Sequence, residues 1–223
     1  MKQIVMESPQ KSKIIEVEMP NINDNQLLVK VLYTGMCHSE WYPWSTAKKG
    51  TAFGHESIGI VEKLGRNVTG FSVGDRVVCG HFLNWTGGAF GYHAFGDDLG
   101  VSRDGWLAEE MLVPASAAVR VPSAVSDEQA ATLAAAGLTA WNALVEVGQI
   151  KAGDIVLCLG TGGVAISALK IARALGARVA ITSSSDEKLA RARELGAEFT
   201  INYRTSEDWA AELMAQTGGA GAN

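Results

Sequence analysis

The sequence predicts a two-part fold: an antiparallel β-barrel domain over residues 1–122, then an α/β domain with a doubly wound parallel sheet over residues 123–223. Two observations carry this prediction. Residues 26–78 hold short strands separated by glycine turns, whereas residues 155–216 alternate apolar strands with helical segments, which implies right-handed crossovers. Ala is rare before residue 80 and abundant after it, as expected when a strand-rich part precedes a helix-rich part.

The first domain is predicted to contain strands at Gln26–Leu32 and Ser57–Leu64, with a third beginning near Gly74. The turn Gly65-Arg66-Asn67-Val68 ends the second of these strands. Residues 81–105 combine glycines and aromatic residues without periodicity, which is typical of a long functional loop.

The second domain is predicted to begin with a capping box, Ser126-Asp127-Glu128-Gln129, that opens an Ala-rich helix. A second cap, Ser184-Ser185-Asp186-Glu187, opens a later helix. The remaining pattern predicts strands at 155–159, 178–182 and 199–202, and helices at 164–175, 185–195 and 207–216.

Composition excludes several classes of protein. With 223 residues, of which 47% are hydrophobic and 19% charged, the chain is long and apolar enough to fold around a core. A net charge of −5 without a basic stripe argues against nucleic acid as a partner. We expect no membrane span and no secretory leader, because no apolar run is long enough. The odd number of cysteines, three, favours a reducing cytoplasm.

The basic residues change along the chain, since Lys dominates before Gly80 and Arg dominates after it. Helix content explains the Ala enrichment but not this change. Two interpretations stay open: a fluctuation in short segments, or a chain joined from two sources near Gly80.

A glycine-rich turn lies between the first predicted strand of the second domain and its helix. Gly160-Thr161-Gly162-Gly163-Val164-Ala165 matches G-x-G-x-x-G/A. In this pattern Gly160 permits the tight turn and Gly162 lets the backbone approach a pyrophosphate. The helix that follows presents free N–H groups to the anion. Because a strand precedes the turn and a helix follows it, the motif predicts dinucleotide binding.

The residues after the second strand of this domain predict which dinucleotide binds. An acidic residue there accepts a hydrogen bond from the ribose of NAD, whereas a hydroxyl or a cation leaves room for the extra phosphate of NADP. Ser183 takes that place, and Lys188 follows one turn into the next helix. We therefore expect NADP in preference to NAD, although the serines at 183–185 are also explained as helix caps.

Two strand ends of the first domain carry candidate metal ligands. Cys37 follows one strand and His55 precedes another, and zinc prefers sulfur and nitrogen ligands. Ser39 is placed to pass a proton from a zinc-bound alcohol to solvent. Taken singly, Cys37 is also explained as a small buried residue and His55 as a hydrogen-bonded strand end.

Together these motifs resemble the zinc-containing alcohol dehydrogenase branch of the medium-chain dehydrogenase/reductase superfamily. The resemblance covers almost the whole chain in the right order, and it implies a GroES-like β-barrel domain followed by a Rossmann domain. It is carried by residues 35–40, 54–61 and 74–77 in the first domain and by residues 135–141, 160–165 and 201–204 in the second.

The resemblance implies a role for each residue of the catalytic motifs. Cys37 and His55 are implied as ligands of one catalytic zinc ion, with Glu56 as an alternate ligand. Glu40 is implied as the partner of the histidine, and Ser39 as the proton relay.

The resemblance also implies the residues that bind the cofactor. His38 is implied near the pyrophosphate, and Lys188 and Tyr203 match positions that meet the 2′-phosphate in related quinone reductases. The remaining implied cofactor residues are Thr139, Gly160, Thr161, Gly162, Gly163, Val164 and Ser183.

The sequence departs from the family pattern at three places. The third zinc ligand falls on Ala135, which has no donor atom. The four-cysteine lobe of a structural zinc is absent after Cys79, so we expect no structural zinc. The chain ends at Asn223, where family members continue, and the Rossmann sheet is therefore expected to be partial.

These observations favour an NADP-dependent alcohol dehydrogenase that transfers hydride between an alcohol or aldehyde and the nicotinamide, with zinc as Lewis acid. One alternative is a zinc-independent NADPH quinone or enone reductase, because the second domain looks closer to such members. Another is an inactive chain that only binds nucleotide. The apolar strand Ile155–Leu159 is expected on an open sheet edge, where it favours self-association.

Overall fold

The computed structural model describes residues 1–46, 50, 52–85, 87–88 and 91–223. The chain divides into two compact units, Met1–Ala135 and Ala136–Asn223. The strands of the first unit are β1 (Lys2–Ser8), β2 (Lys11–Glu16), β3 (Gln26–Gly35), β4 (Glu56–Leu64), β5 (Arg76–Cys79), β6 (Glu110–Pro114) and β7 (Ala118–Arg120). Those of the second unit are β8 (Ile155–Cys158), β9 (Arg178–Ser183) and β10 (Phe199–Asn202).

The helices are short in the first unit and longer in the second. The α-helices are α1 (Trp41–Thr46), α2 (Asp127–Ala130), α3 (Leu138–Trp141), α4 (Gly163–Ala174), α5 (Asp186–Glu194) and α6 (Trp209–Gln216). Single turns of 3₁₀-helix occur at His38–Glu40, Tyr92–Ala94 and Ala115–Ala117, and π-helical turns at Leu133–Gly137 and Asn142–Val147.

The first unit is built on a five-stranded antiparallel sheet of order β6-β3-β4-β5-β7, beside a β1–β2 hairpin. This confirms the antiparallel class, but the described residues show no ladder that closes the sheet. Only Ala115–Ala117 links β6 to β7, although these strands form opposite edges of the sheet. Because three residues span only about 10 Å, the two edges lie close together and the sheet curls as a barrel does.

Alternating apolar side chains of the central strands form the core of the first unit. Leu27 and Val29 of β3 pack with Val61 and Val77, and the fully buried Trp106 closes the cluster. This alternation is the pattern of strands that bury one face. It holds β3, β4 and β5 in register, so that their ends at one edge are fixed.

The second unit is a parallel sheet of order β10-β9-β8 with helices on both faces. Val179 and Ile181 of β9 face a cluster that includes side chains of α4 and α5, whereas Ala180 faces α6. Sheets buried on both faces are typical of doubly wound folds. The sheet confirms the predicted α/β architecture.

The two predicted helix caps are present. Ser126 Oγ accepts a hydrogen bond from the Gln129 backbone N–H at 3.3 Å, and Ser185 Oγ accepts one from Lys188 at 3.3 Å. Each bond satisfies an N–H group that the first turn of a helix leaves unpaired. Among the described residues, no helix combines the length and the apolar character needed to cross a membrane.

Candidate active site

Three neighbouring strand ends meet at one edge of the first unit's sheet. Gly35 at the end of β3 pairs with Glu56 at the start of β4, so Cys37 and His55 lie just beyond that pair. On the other side of β4, Gly59 pairs with Val77 of β5. The antiparallel register therefore gathers residues from three separate chain segments at this edge.

His55 is buried and held by a carboxylate. Its Nδ1 lies 2.5 Å from Glu40 Oε1, and both residues are about 95% buried. Burial alone lowers the pKa of His55, but the hydrogen bond and the negative charge of Glu40 outweigh it and raise the pKa to about 9. Glu40 thus fixes the orientation of the ring and leaves Nε2 to face the site.

The Ser39 hydroxyl connects Cys37 to His55. It donates to Cys37 Sγ at 3.1 Å and lies 3.2 Å from His55 Nε2. Burial disfavours the thiolate of Cys37, but hydrogen bonds from Ser39 and His55 favour it, and the net result is a lowered pKa. The structure therefore brings together three of the four expected catalytic residues around one hydroxyl.

Glu56, the fourth, is buried at the start of β4. Its negative charge is close enough to Cys37 to oppose ionisation of the thiol. In the part of the chain that the structure describes, however, no three His, Cys, Asp or Glu side chains are already arranged to hold a metal ion.

The donors that do converge suit zinc. A thiol sulfur and an imidazole nitrogen lie within hydrogen-bond distance of the same hydroxyl, and they are the ligand types that zinc prefers. The other nitrogen of His55 faces a carboxylate, the usual arrangement for a zinc-binding histidine. Cys37 and His55 fit a zinc ion as two of the three protein ligands that a catalytic zinc site uses.

His81 is a site residue that the sequence reasoning missed. Its ring centroid lies 4.7 Å from that of His55, with the planes inclined by 59°. Burial and the positive charge of His55 lower the pKa of His81 to about 4. His81 is placed near His55 by the register between β4 and β5, and no local sequence pattern defines that register.

The glycine-rich turn has the geometry predicted for it. Gly160 adopts a φ of 87°, which favours glycine. Gly162 is the N-cap of α4, and a Cβ built on it meets no atom within 4 Å. Open space over the backbone and the free N–H groups of a helix start form a cradle that fits a pyrophosphate. The residues present therefore suit a dinucleotide.

Ser183 is buried at the carboxyl end of β9 and linked to this turn. Its hydroxyl lies 3.3 Å from that of Thr161 and accepts from the Ser185 backbone N–H at 3.3 Å. The nearest acid, Asp186, accepts a hydrogen bond from Asn202 at 2.7 Å. The last residue of β9 is therefore a serine with a hydroxyl group, and not an acidic residue with a carboxylate.

A cavity of about 400 Å³ opens at the carboxyl end of this sheet; it is lined by Leu159, Gly160, Thr182, Tyr203 and Trp209. Ligands of doubly wound sheets bind at this end of the strands. Tyr203 belongs to the lining, while Lys188 is exposed on α5.

The other expected cofactor residues lie on helical turns. His38 is exposed in the 3₁₀ turn after β3, and Thr139 is exposed on α3. Gly163 and Val164 form the first turn of α4. His38 lies in the first unit, and Thr139, Gly163 and Val164 lie in the second.

An antiparallel unit with a Cys–His pair, followed by a parallel unit with a dinucleotide turn, defines the class of two-domain dehydrogenases. Two family models match the chain: the alcohol dehydrogenase GroES-like domain over residues 23–123 and the zinc-binding dehydrogenase over residues 163–223. The first match includes the strand ends described above, and the second begins at Gly163, at the start of α4.

Curated proteins with similar sequences include alcohol dehydrogenases. An alcohol dehydrogenase of Geobacillus stearothermophilus is 33% identical over 98% of this chain and 68% of its own length. A zinc-type alcohol dehydrogenase-like protein of Schizosaccharomyces pombe is 46% identical over 75% of this chain and 49% of its own length. The chain thus spans about half to two thirds of the length of these relatives.

Solved structures show the same fold. A structure from Sinorhizobium meliloti 1021, provisionally assigned as an alcohol dehydrogenase, has a TM-score of 0.92 and 36% identity over 99% of this chain and 67% of its own. A quinone oxidoreductase of Pseudomonas syringae has a TM-score of 0.79 and 31% identity, over 99% of this chain and 64% of its own. The chain belongs to the zinc-type medium-chain dehydrogenase/reductase family.

Proposed function

We propose that the protein is an NADP-dependent oxidoreductase that interconverts a small alcohol and its aldehyde or ketone, with one catalytic zinc ion. The observation that carries the proposal is the Ser39 hydroxyl, which lies within hydrogen-bond distance of both Cys37 Sγ and His55 Nε2. We place the catalytic domain at residues 1–122 and the nucleotide-binding domain at residues 123–223.

The chain's own residues divide the work of the catalytic site. Cys37 and His55 would hold the zinc ion, which when bound supplies Lewis-acid polarisation of the substrate oxygen. Glu40 keeps the His55 ring oriented through the contact at Nδ1. Ser39 Oγ accepts the proton that the alcohol loses and passes it towards solvent, because Ser39 is exposed.

The second unit supplies the cofactor site in this proposal. The N–H groups at the start of α4 hold the pyrophosphate, and Gly162 leaves space for it. Ser183 favours NADP, because its hydroxyl takes the place of the carboxylate that would repel a 2′-phosphate. Lys188 and Tyr203 would contribute an ammonium group and a phenol that bind this phosphate.

A zinc-independent NADPH reductase of quinones or enones is the second candidate. Two observations favour it: Ala135 offers no donor at the third ligand position, and the quinone oxidoreductase of P. syringae shares the fold at 31% identity. In this candidate Cys37 and His55 have a structural role only.

Metal content and turnover distinguish the two candidates. We expect the purified protein to contain one zinc ion per chain and to oxidise short alcohols with NADP⁺. Cys37→Ser should remove both properties, whereas the matched control Cys158→Ser should keep them, because Cys158 is buried in the other unit. Reduction of enones by zinc-free protein establishes the second candidate instead. NADPH binding without any turnover supports a protein that only binds nucleotide.

The three thiols of the protein are free. Free thiols are typical of proteins from reducing compartments, and we include a cytoplasmic location in the proposal.

A further inference from the structure

The zinc site that the sequence predicts lacks a third protein ligand, because Ala135 stands at the position of that ligand. Catalytic zinc sites use three protein ligands and leave a fourth position open, but Ala135 cannot be a ligand. Cys37 and His55 supply only two donors, and no three candidate ligands are already arranged among the described residues. A third donor must come from a residue outside the expected set, or from the buried Glu56.

The register of the sheet points to His81. Gly59 pairs with Val77 and Ile60 with Arg76. When this antiparallel register is extended by four residues towards the site, position 81 falls opposite position 55. In the strand order β3-β4-β5, Cys37 and His81 therefore lie on either side of His55.

The surroundings of the His81 side chain are compatible with metal binding. Nδ1 is buried and makes no hydrogen bond of ordinary geometry among the described residues, although a hydrogen bond with the Leu99 backbone acts on the ring. An unpaired buried nitrogen costs free energy that a bond to a metal ion would recover. The ring packs against His55, at 4.7 Å between centroids, and against Phe82, at 4.5 Å.

A second buried carboxylate, that of Asp98, belongs to the segment that pairs with the chain next to His81. The bridge between Phe82 and Asp98 brings the loop back to this point, and the Leu99 backbone N–H donates to the His81 carbonyl at 3.1 Å. Asp98 is buried, with 7% of its surface exposed. Its Oδ1 has no hydrogen-bond partner in the described part of the chain. Its negative charge acts on the His81 ring.

We propose that His81 is the third protein ligand of the zinc ion, in place of the donor absent at Ala135, and that Asp98 is its carboxylate partner. The site then contains two histidines, each backed by a carboxylate: His55 by Glu40 and His81 by Asp98. This inference rests on the proposed zinc function. Binding requires the His81 ring to turn, because its present position does not complete a three-donor group.

Cobalt binding tests the inference without any activity measurement. Co²⁺ is titrated into metal-free protein, and the thiolate charge-transfer band and the d–d bands report the donors. We expect one Co²⁺ per chain with a Cys37 thiolate band. In His81→Asn the affinity should fall by roughly tenfold or more and the d–d bands should change. Asp98→Asn should weaken binding by about tenfold, the usual effect of losing such a partner.

Two matched variants test whether His81, and not another residue, is the third ligand. His93→Asn removes an exposed histidine of the same loop and should bind as the unmodified protein does. Glu56→Gln should lower the affinity less than His81→Asn does, because its carboxylate acts on Cys37 only through its charge. A larger loss in Glu56→Gln than in His81→Asn assigns the third position to Glu56 and overturns the inference.

A further variant protects the test against a folding defect. His81→Cys keeps a donor at the position and should add a second thiolate to the charge-transfer band; an unchanged band contradicts the inference even if His81→Asn does not fold. When the unmodified protein and His81→Asn bind Co²⁺ equally, the inference fails while the zinc proposal stands. When the unmodified protein binds no Co²⁺ at all, both fail.

Discussion

The three cysteines occupy different environments, which sets their chemistry. Cys79 and Cys158 are buried, and burial raises the pKa of Cys79 to about 12 and that of Cys158 to about 11. Cys37 is only half buried, and its thiol receives hydrogen bonds. The thiolate is the reactive form of cysteine, so reactivity should be confined to Cys37.

We predict that iodoacetamide at pH 8 labels Cys37 alone in the folded, metal-free protein. Intact and peptide mass spectrometry would count and locate the modification. In guanidinium chloride all three cysteines should be labelled, which controls for the reagent. Excess Zn²⁺ should protect Cys37 in the folded protein. Labelling of Cys79 at a comparable rate is incompatible with the described core.

At Ser183 the hydroxyl is buried and linked to the glycine-rich turn. Exchanging it for a carboxylate places a negative charge where the 2′-phosphate is proposed to lie. Like charges in such proximity are strongly unfavourable.

We predict that Ser183→Asp weakens NADPH binding by roughly tenfold or more and improves NADH binding, so that the preference is reversed. Fluorescence titration of both cofactors measures the ratio of affinities. Ser12→Asp, the same substitution on the exposed strand β2, is the control and should bind both cofactors as the unmodified protein does. Equal affinity of the unmodified protein for NADPH and NADH contradicts the assignment.

Among the elements, strand β4 depends on a close approach to β3. A Cβ added at Gly59 would lie 2.5 Å from the Lys30 carbonyl oxygen and would also collide with the Val29 side chain. Gly80, beyond the end of β5, has no atom within 4 Å of the same position. The two glycines therefore respond differently to one added methyl group.

We predict that Gly59→Ala lowers the free energy of unfolding by about 1–3 kcal/mol, the usual cost of overpacking a core. Gly80→Ala should leave it within about 0.5 kcal/mol of the unmodified value. Urea unfolding followed by circular dichroism provides both numbers. If the two variants are equally stable, the packing of β4 against β3 differs from the one described.

Elements defined by local chemistry were predictable from the sequence, and those defined by distant pairing were not. The caps Ser126 and Ser185 depend on residues three positions away, and both form as expected. The hairpin β1–β2 and the edge strands β6 and β7 of the first unit were not predicted, because their partners and packing decide them. The convergence of Cys37 with His55 followed from motifs, whereas His81 depends on the β4–β5 register across a long connection.

Considered as a whole, the second unit leaves one backbone edge of the apolar strand β8 without a neighbouring strand among the described residues. Among the described residues, β8 pairs with β9 on one side, while on its other side only Asn223 bonds to it. The Asn223 backbone N–H donates to the Ile155 carbonyl at 3.0 Å, and Asn223 Oδ1 accepts from the Ile155 N–H at 2.8 Å. Leu159, just after the strand, is 68% exposed.

We predict that the 223-residue protein self-associates through β8, because its sequence from Ile155 to Leu159 contains none of the charges or prolines that protect natural edges. Light scattering should show a mass above the 23.6 kDa of one chain, rising with concentration. Leu159→Lys should shift the distribution towards monomer, since a charge beside an edge strand opposes pairing. Val147→Lys, on a 76% exposed residue of the same unit, should not. A monodisperse monomer at every concentration would show that Asn223 and the neighbouring backbone already protect the edge.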